Sequence, residues 1–303
     1  MGGIVNFNLR FESEGRTINF YDGRFPISEL RGISENVVSL ATTQGVNQDG
    51  VSVGGLSVAP RTVTITGDIT DPDSDRAAML AAILPKASGR LILEQSGRPA
   101  VYLDVEVVRT PTIQNVYGLQ TYQVTFTAPF PYWKTVEQVN NTLWGYQDIE
   151  KLFSVEGDGS GIFENFDEGE TFNISDLLSV GFVTVWNNGN VPLPVIFDIT
   201  ARGGPATNFE VYRVGTSPVD KMRFIGTLNE GERVVVNTNY GEKSAVRYNT
   251  DSSEDNVFGN IDEDSNWDFV LPVGVSQIGF NADSGRDNLE VVFRHPAGIF
   301  SGV

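Results

Sequence analysis

Three aspartates spaced two apart, Asp71, Asp73 and Asp75 in DPDSD, open as a calcium loop would. An EF-hand loop takes Gly at its sixth position and a bidentate Glu at its twelfth. Arg76 and Ala82 stand there, so the segment reads as a turn and helix cap. The one histidine, His295, sits between Arg294 and Pro296, with no second His or Cys at ligand spacing. An ordinary zinc site therefore lacks its ligands. A Ser-His-Asp triad would have to use His295, and no GxSxG elbow accompanies it. Gly157, Gly159 and Gly161 lack the following Lys-Ser/Thr and helix of a phosphate-cradling loop, and read as an acidic loop. Asp251, Glu254, Asp255, Asp262, Glu263, Asp264 and Asp268 form an acidic run, expected as a solvated loop, with a calcium site as the alternative. Residue type alone permits a glycosidase pair, but carboxylates this abundant are weak support for one. The sequence assigns no catalytic, cofactor-binding or metal-binding residue.

The elements that would hold any site are read next. The 303 residues suffice for two domains that each bury a core. A net charge of −18 argues against a stable nucleic-acid-binding surface, which needs Lys and Arg to replace counterions. The absence of cysteine excludes disulfide scaffolds, thiolate metal sites and cysteine nucleophiles. The opening MGGIVNFNLRFESEG has no basic region followed by an apolar run, so no signal peptide is expected. No apolar run is long enough to cross a bilayer, so no membrane insertion is expected.

Pro60–Leu93 organises the chain. Val63, Ile65 and Ile69 alternate with Thr62, Thr64, Thr66 and Asp68, the period of a half-buried strand. Ser74 or Asp75 is expected to cap the next helix. Ala77, Leu80, Ala81 and Leu84 fall at i, i+3, i+4 and i+7 and predict its buried face. Earlier, Val5, Phe7, Leu9 and Phe11 alternate as an opening strand. Later, Val101, Leu103, Val105 and Val107, then Tyr122, Val124 and Phe126, do the same. Between Ala41 and Arg61 lies a polar stretch with turns at Gln48-Asp49-Gly50 and Gly54-Gly55, which reads as an arm leaving the domain. Two prolines in APFPYWK end the last strand of this half, and a boundary is placed at 137/138. The second half holds an acidic Gly-rich stretch, Gln147–Asp176. After it come strands around Val183, Val185, Val195, Phe197, Ile199, Val234–Val236, Trp267, Phe269, Ile278, Phe280, Leu289, Val291 and Phe293. Turns without helices predict an antiparallel β-sandwich.

The order of these pieces resembles the distal tail (Dit) proteins of long-tailed phages. In the first half the matching pieces are PRTVTITGDI, DRAAMLAAILPKASGRL and TFTAPFPYWK. In the second they are WNNGNVPLPVIFDI, FIGTLNEGERVVVNT, DSNWDFVLPVGVSQIGF and VVFRHPAGIFSGV. The departures are an acidic insertion around Glu150–Asp176 and the run Asp251–Asp264.

The resemblance implies a mainly β protein in two domains. Residues 1–137 would be a tail-tube-like β-barrel or sheet with one helix and a long hairpin arm. Residues 138–303 would be an outward-facing, galectin-like or carbohydrate-module-like sandwich. It implies a non-enzymatic virion component at the distal end of the tail, assembled in the host cytoplasm. There it would form a homohexameric ring joining the tail tube protein to a hub or lysin-type protein and a receptor-binding protein. DNA would pass through the lumen, and the acidic balance would keep it from adhering. A closed ring needs heterologous contacts, for which an arm and edge strands are suited. The residues expected to make them are Gln44, Val46, Asp49, Val51, Val53 and Leu56 of the arm, with Val63 and Ile65 as ring wall. The competing reading is a carbohydrate-binding module, with Tyr212, Tyr240, Tyr248 and Trp267 as candidate platforms. Alternation within strands favours burial of most of these, and Trp267 beside Phe269 reads as core.

Overall fold

The computed structural model describes residues 7–116, 119–144, 182–216 and 219–303. Val5 and the acidic stretch Gln147–Asp176, with Gly157, Gly159 and Gly161, lie outside the described residues. Two compact units divide the chain. Unit 1 is Met1–Gln138 with Asn188–Val191 and Pro296–Val303, and unit 2 is Val139–Asn187 with Pro192–His295.

Unit 1 contains β1 (Phe7–Ser13), β2 (Arg16–Asn19), β3 (Ile27–Arg31), β4 (Val38–Thr43), β5 (Ser52–Val58) and β6 (Arg61–Ile69). These are followed by α1 (Asp75–Ala82), β7 (Ser88–Gln95), β8 (Val101–Glu106), β9 (Thr112–Val116), β10 (Leu119–Ala128) and β11 (Trp133–Thr135). Its sheet runs β2-β1-β7-β8-β10-β6-β3. The expected alternation holds along β6, where Val63, Ile65 and Ile69 are buried between more exposed Thr62, Thr64, Thr66 and Asp68. Tyr122, Val124 and Phe126 of β10 face the same core, as do Leu103 and Val105 of β8. Gly67 is fixed by its neighbours: a Cβ there would run into the Pro26 carbonyl and the Tyr122 hydroxyl, which donates to the Phe25 carbonyl at 3.0 Å.

The helix forms where expected but turns a different face inward. Met79, Ala82 and Ile83 enter the core, while Ala77, Ala81 and Leu84 are exposed and Leu80 is half-buried. Two apolar stripes compete on this helix. Met79 and Ile83 are the large apolar residues that reach the core, and apolar content alone does not choose between the stripes, because Leu80 and Leu84 are of similar size. Asp75 is buried as well, because its carboxylate receives Arg24 Nε at 2.8 Å and Nη2 at 2.6 Å. Ser74 occupies the N-cap position without a side-chain cap; its hydroxyl donates to Asp71 Oδ2 at 2.9 Å instead.

Unit 2 continues with β12 (Gln138–Trp144), β13 (Phe182–Asn187), β14 (Leu193–Pro194), β15 (Ile196–Ala201), β16 (Ala206–Arg213), β17 (Lys221–Arg223) and β18 (Thr227–Leu228). Then come β19 (Arg233–Asn237), β20 (Ser244–Tyr248), β21 (Glu254–Asn256), β22 (Val270–Leu271), β23 (Gly274–Ser284) and β24 (Leu289–Pro296). One antiparallel sheet has the order β12-β24-β15-β19-β20-β21; a second has β13-β23-β16-β17 with β18 also on β16. Each buries one face: Phe197, Val234 and Phe293 in the first, Phe209, Val211 and Phe280 in the second. Two half-apolar sheets bury those faces against other layers, as a sandwich does. Phe197 meets Phe269 and Phe293 edge-on, with ring centroids 5.1 and 5.8 Å away.

The end of the chain departs from a single cut at 137/138. The segment that the sequence reading put in the second domain contains β25 (Ile299–Phe300), which pairs with β11 of unit 1 as Trp133↔Phe300 and Lys134↔Ile299. Arg61, only 3 % exposed, fastens this return. Its Nε donates to the Pro131 carbonyl at 2.6 Å, and Nη1 donates to those of Gly32 and Ile33 at 2.8 and 2.6 Å. Its Nη2 donates to Asn36 Oδ1 at 2.6 Å and to the Ser301 carbonyl. A sequence pattern does not disclose this arrangement, because the carbonyls come from segments far apart in the chain.

Arg61→Lys keeps the charge but loses the planar fork, leaving several buried carbonyls without donors. Each such group costs about 1–3 kcal/mol. The variant is expected to unfold with a stability loss of at least ~2 kcal/mol by urea titration. Removing Pro296–Val303 should destabilise unit 1 similarly; unchanged midpoints in both would contradict the role given to Arg61.

Candidate interaction surfaces

The arm is a hairpin of β4 and β5, a two-stranded sheet with no pairing to the larger sheets. Its register pairs Val38 with Val58 and Leu40 with Leu56, then slips between Ala41 and Thr42, so that Thr42 faces Val53. Gly54 is the extra residue of this bulge. The slip matters because Val53 and Leu56, three apart, would otherwise point to opposite faces. With it, Val38, Leu40, Val53, Leu56 and Val58 share one face, and Ser39, Ala41, Ser52, Ser57 and Gly55 share the other. The apolar face has nothing from its own unit over it: Leu40 is 59 % and Leu56 69 % exposed. Val46, at the tip, is 96 % exposed. The tip is organised by Gln48, whose Oε1 receives Gly45 N–H at 2.9 Å and whose Nε2 donates to Ser52 Oγ at 3.2 Å.

Gln44, Val46, Asp49, Val51, Val53 and Leu56 are therefore together on one exposed element. Val63 and Ile65 are not with them, and assigning them to a contact is corrected here. Both are 0 % exposed in the unit 1 core, and β6 is hydrogen-bonded on both edges, to β10 and β3. Strand alternation marks burial without saying what does the burying.

The acidic run divides its carboxylates among separate partners. Asp251 receives Ser253 N–H and hydroxyl at 2.9 and 2.6 Å, which hold its pKa below the usual carboxylate range. Asp255 is lowered by Asn249 and then by Arg247, 2.9 and 2.8 Å away. Asp268 takes Lys243 Nζ at 2.5 Å. Among the described residues no three carboxylate, His or Cys groups converge as a metal site would need. His295 is buried, and its Nε2 lies 3.3 Å from Asn141 Nδ2. No described helix is long and apolar enough to cross a membrane.

The expected burial of the aromatic candidates is corrected in unit 2. Tyr212, Tyr248 and Trp267 are half-buried and Tyr240 is exposed. Trp267 stacks on the exposed Phe258 at 4.2 Å with an 8° interplanar angle, so it is a surface pair rather than core.

The described residues form a mainly β chain with an exposed apolar hairpin and a separate two-sheet unit. Residues 188–295 match the family model described as siphovirus-type tail component, C-terminal domain. The crystal structure of SPP1 Dit (gp 19.1), titled a paradigm of hub adsorption apparatus in Gram-positive infecting phages, superposes with a TM-score of 0.62 at 12% identity, covering 94% of this chain and 98% of that one. A chain of the phage P2 baseplate in its activated conformation with Ca gives 0.49 at 11% identity, over 98% of this chain and 100% of that one. The corresponding baseplate with Sr gives 0.48 at 12% identity, with the same coverage. No curated protein matches. The resemblance read from the motifs is met in two respects: the chain shares the fold of SPP1 Dit over nearly its whole length, and residues 188–295 match the siphovirus-type tail component C-terminal domain.

Because the arm buries nothing in its own unit, Leu40→Ser and Leu56→Ser are expected to change the unfolding free energy of the isolated chain by less than ~0.5 kcal/mol. A core leucine truncated to the same extent would cost about 2–5 kcal/mol. Thermal and urea unfolding of the monomeric fraction would separate the two.

Proposed function

We propose that this protein builds a homohexameric ring at the distal end of a phage tail through unit 1. The observation that carries the reading is the amphipathic β4–β5 hairpin, whose apolar face lacks a partner within its own unit. A lone two-stranded hairpin is marginal in water, and an exposed apolar face of this kind is a contact surface. In a ring each copy gives its arm to one neighbour and receives the arm of the other, a heterologous contact that closes. The apolar side chains supply the adhesion, and the free edges of β4 and β5 can extend a neighbour's sheet.

In this reading the ring joins the tail tube protein to a hub or lysin-type protein and a receptor-binding protein, as a scaffold for host adsorption and not as an enzyme. DNA passes through its lumen. A chain of net charge −18 suits a passage to which DNA must not adhere.

Light scattering with negative-stain imaging of the same purified fraction tests the ring. Wild type is expected to give six-fold rings with a central hole. Deleting Gly45–Gly55 should leave a folded monomer, and Leu40→Asp with Leu56→Asp should do the same. Intact rings after the deletion would remove the arm from the assembly.

A further inference from the structure

Unit 2 carries a second surface of opposite chemistry. A groove of about 550 Å³ lies on the outer face of the β24-β15-β19-β20-β21 sheet, lined by Asp198, Thr200, Arg233, Tyr248, Glu254 and Glu290 among others. Its floor is a row in register across the strands: Glu290 opposite Thr200, Thr200 opposite Arg233, Arg233 opposite Tyr248, Tyr248 opposite Glu254. The residues that alternate with them, including Ile199, Val234 and Val291, point into the core. Arg202 and Gly231 contribute to the wall at one place, Asn249 and Ser252 at another.

Most of the charges in this groove are paired. Arg202 Nε meets Glu290 Oε2 at 2.6 Å, Arg233 Nη1 lies 3.5 Å from Asp198 Oδ2, and Arg294 also binds that oxygen. The lining holds Asp198, Glu254 and Glu290 against Arg202 and Arg233, one negative charge in excess, with Arg294 reaching Asp198 from beside the groove. The Arg233 guanidinium lies over the Tyr248 ring, 4.4 Å from its centroid, which holds both side chains in place. Asp198 is 9 % exposed, and its Oδ1 has no hydrogen-bond partner.

We infer that this groove binds a neutral oligosaccharide. Carboxylate acceptors alternating with guanidinium, hydroxyl and amide donors can engage neighbouring sugar hydroxyls in pairs. Adjacent strands are about 4.8 Å apart, so a row of side chains across them presents a polar group at intervals close to one pyranose ring. Tyr248 contributes an aromatic ring, one face covered by Arg233, and sugar C–H groups would pack on the other face or its edge. The excess of carboxylates in the lining, with both of its guanidiniums ion-paired, disfavours an anionic ligand, and the charged row disfavours an apolar side chain. The volume falls in the usual range of small-molecule sites. The inference concerns unit 2 alone and stands apart from the ring.

The test is a glycan array probed with the labelled full-length chain, carrying neutral oligosaccharides of glucose, galactose, rhamnose and N-acetylglucosamine beside sialylated, uronic-acid and phosphorylated ones. The strongest hit is then titrated calorimetrically. Binding of a neutral oligosaccharide, weakened at least tenfold by Tyr248→Ala, is the expected result. Tyr248→Ala also frees Arg233, so Glu254→Ala, at an exposed position, is measured beside it and should weaken binding by several fold with an unchanged melting temperature. The arm deletion Gly45–Gly55 should leave the per-site affinity unchanged whether or not rings form. Three outcomes would overturn the inference: no neutral hit, preference for anionic glycans, or binding indifferent to both groove variants.

Discussion

Unit 1 depends on one buried guanidinium. Arg61 stands at the first position of β6, and its fork reaches carbonyls after β3, before β11 and after β25. A buried Arg without a carboxylate partner is tolerated only when its N–H groups are satisfied, and five hydrogen bonds to oxygen do that here. The consequence is topological. The chain must leave unit 1, complete unit 2 and come back, because the Ser301 carbonyl is part of the shell around Arg61. Gly189 reinforces the same joint from within unit 1, where a Cβ would run into the Ile299 backbone. Trp133 closes it by donating Nε1 to the Ile33 carbonyl at 3.0 Å. Residues from the middle and the end of the sequence are thus necessary to a core built mostly from the first half.

The arm is the complementary case, an element held by almost nothing of its own unit. Its cross-strand pairs and the Gln48 tip set its shape, while its apolar face is exposed. The bulge at Gly54 is the physical device. Without the slip, the apolar residues of β5 would divide between two faces and neither would make a coherent surface. A β-strand that gathers its valines and leucines on the solvent side is an aggregation hazard unless a defined partner covers it. That requirement favours an obligate neighbour over a transient one.

How much of this was legible in the sequence follows from what each pattern measures. Period-two alternation reports one buried face, so the strands of Val63–Ile69, Tyr122–Phe126 and Leu289–Phe293 were readable. It does not report whether the covering surface is the same chain or another, and Val63 and Ile65 were misassigned to a ring wall for that reason. The helix was readable as a helix, yet its two stripes carry comparable apolar patterns, and the sequence alone does not choose between them. The arm was readable from its lack of core-forming residues, but not its amphipathicity, which needs the bulge. Trp267 was misread because its neighbour Phe269 is core while Trp267 itself finds Phe258 outside. The groove was legible only as Tyr248. Its other residues are separated by tens of positions and meet through the strand order β24-β15-β19-β20-β21, which no local signal encodes.

The two surfaces call for different partners because their desolvation differs. Covering the arm removes apolar area from water and leaves no polar group behind, so the contact gains with every residue buried. Filling the groove means replacing water on charged groups that already have partners, so each new hydrogen bond contributes only a small net amount. A site of that kind is intrinsically weak and reversible. Weakness is no defect if the apolar contact has first gathered copies into a ring, because tethered sites act at a high effective concentration and their combined avidity exceeds any one of them. Under the two proposals a firm apolar arm and a weak polar groove are coherent in one chain: the arm would fix the number of copies, and that number would set how weak the groove can be.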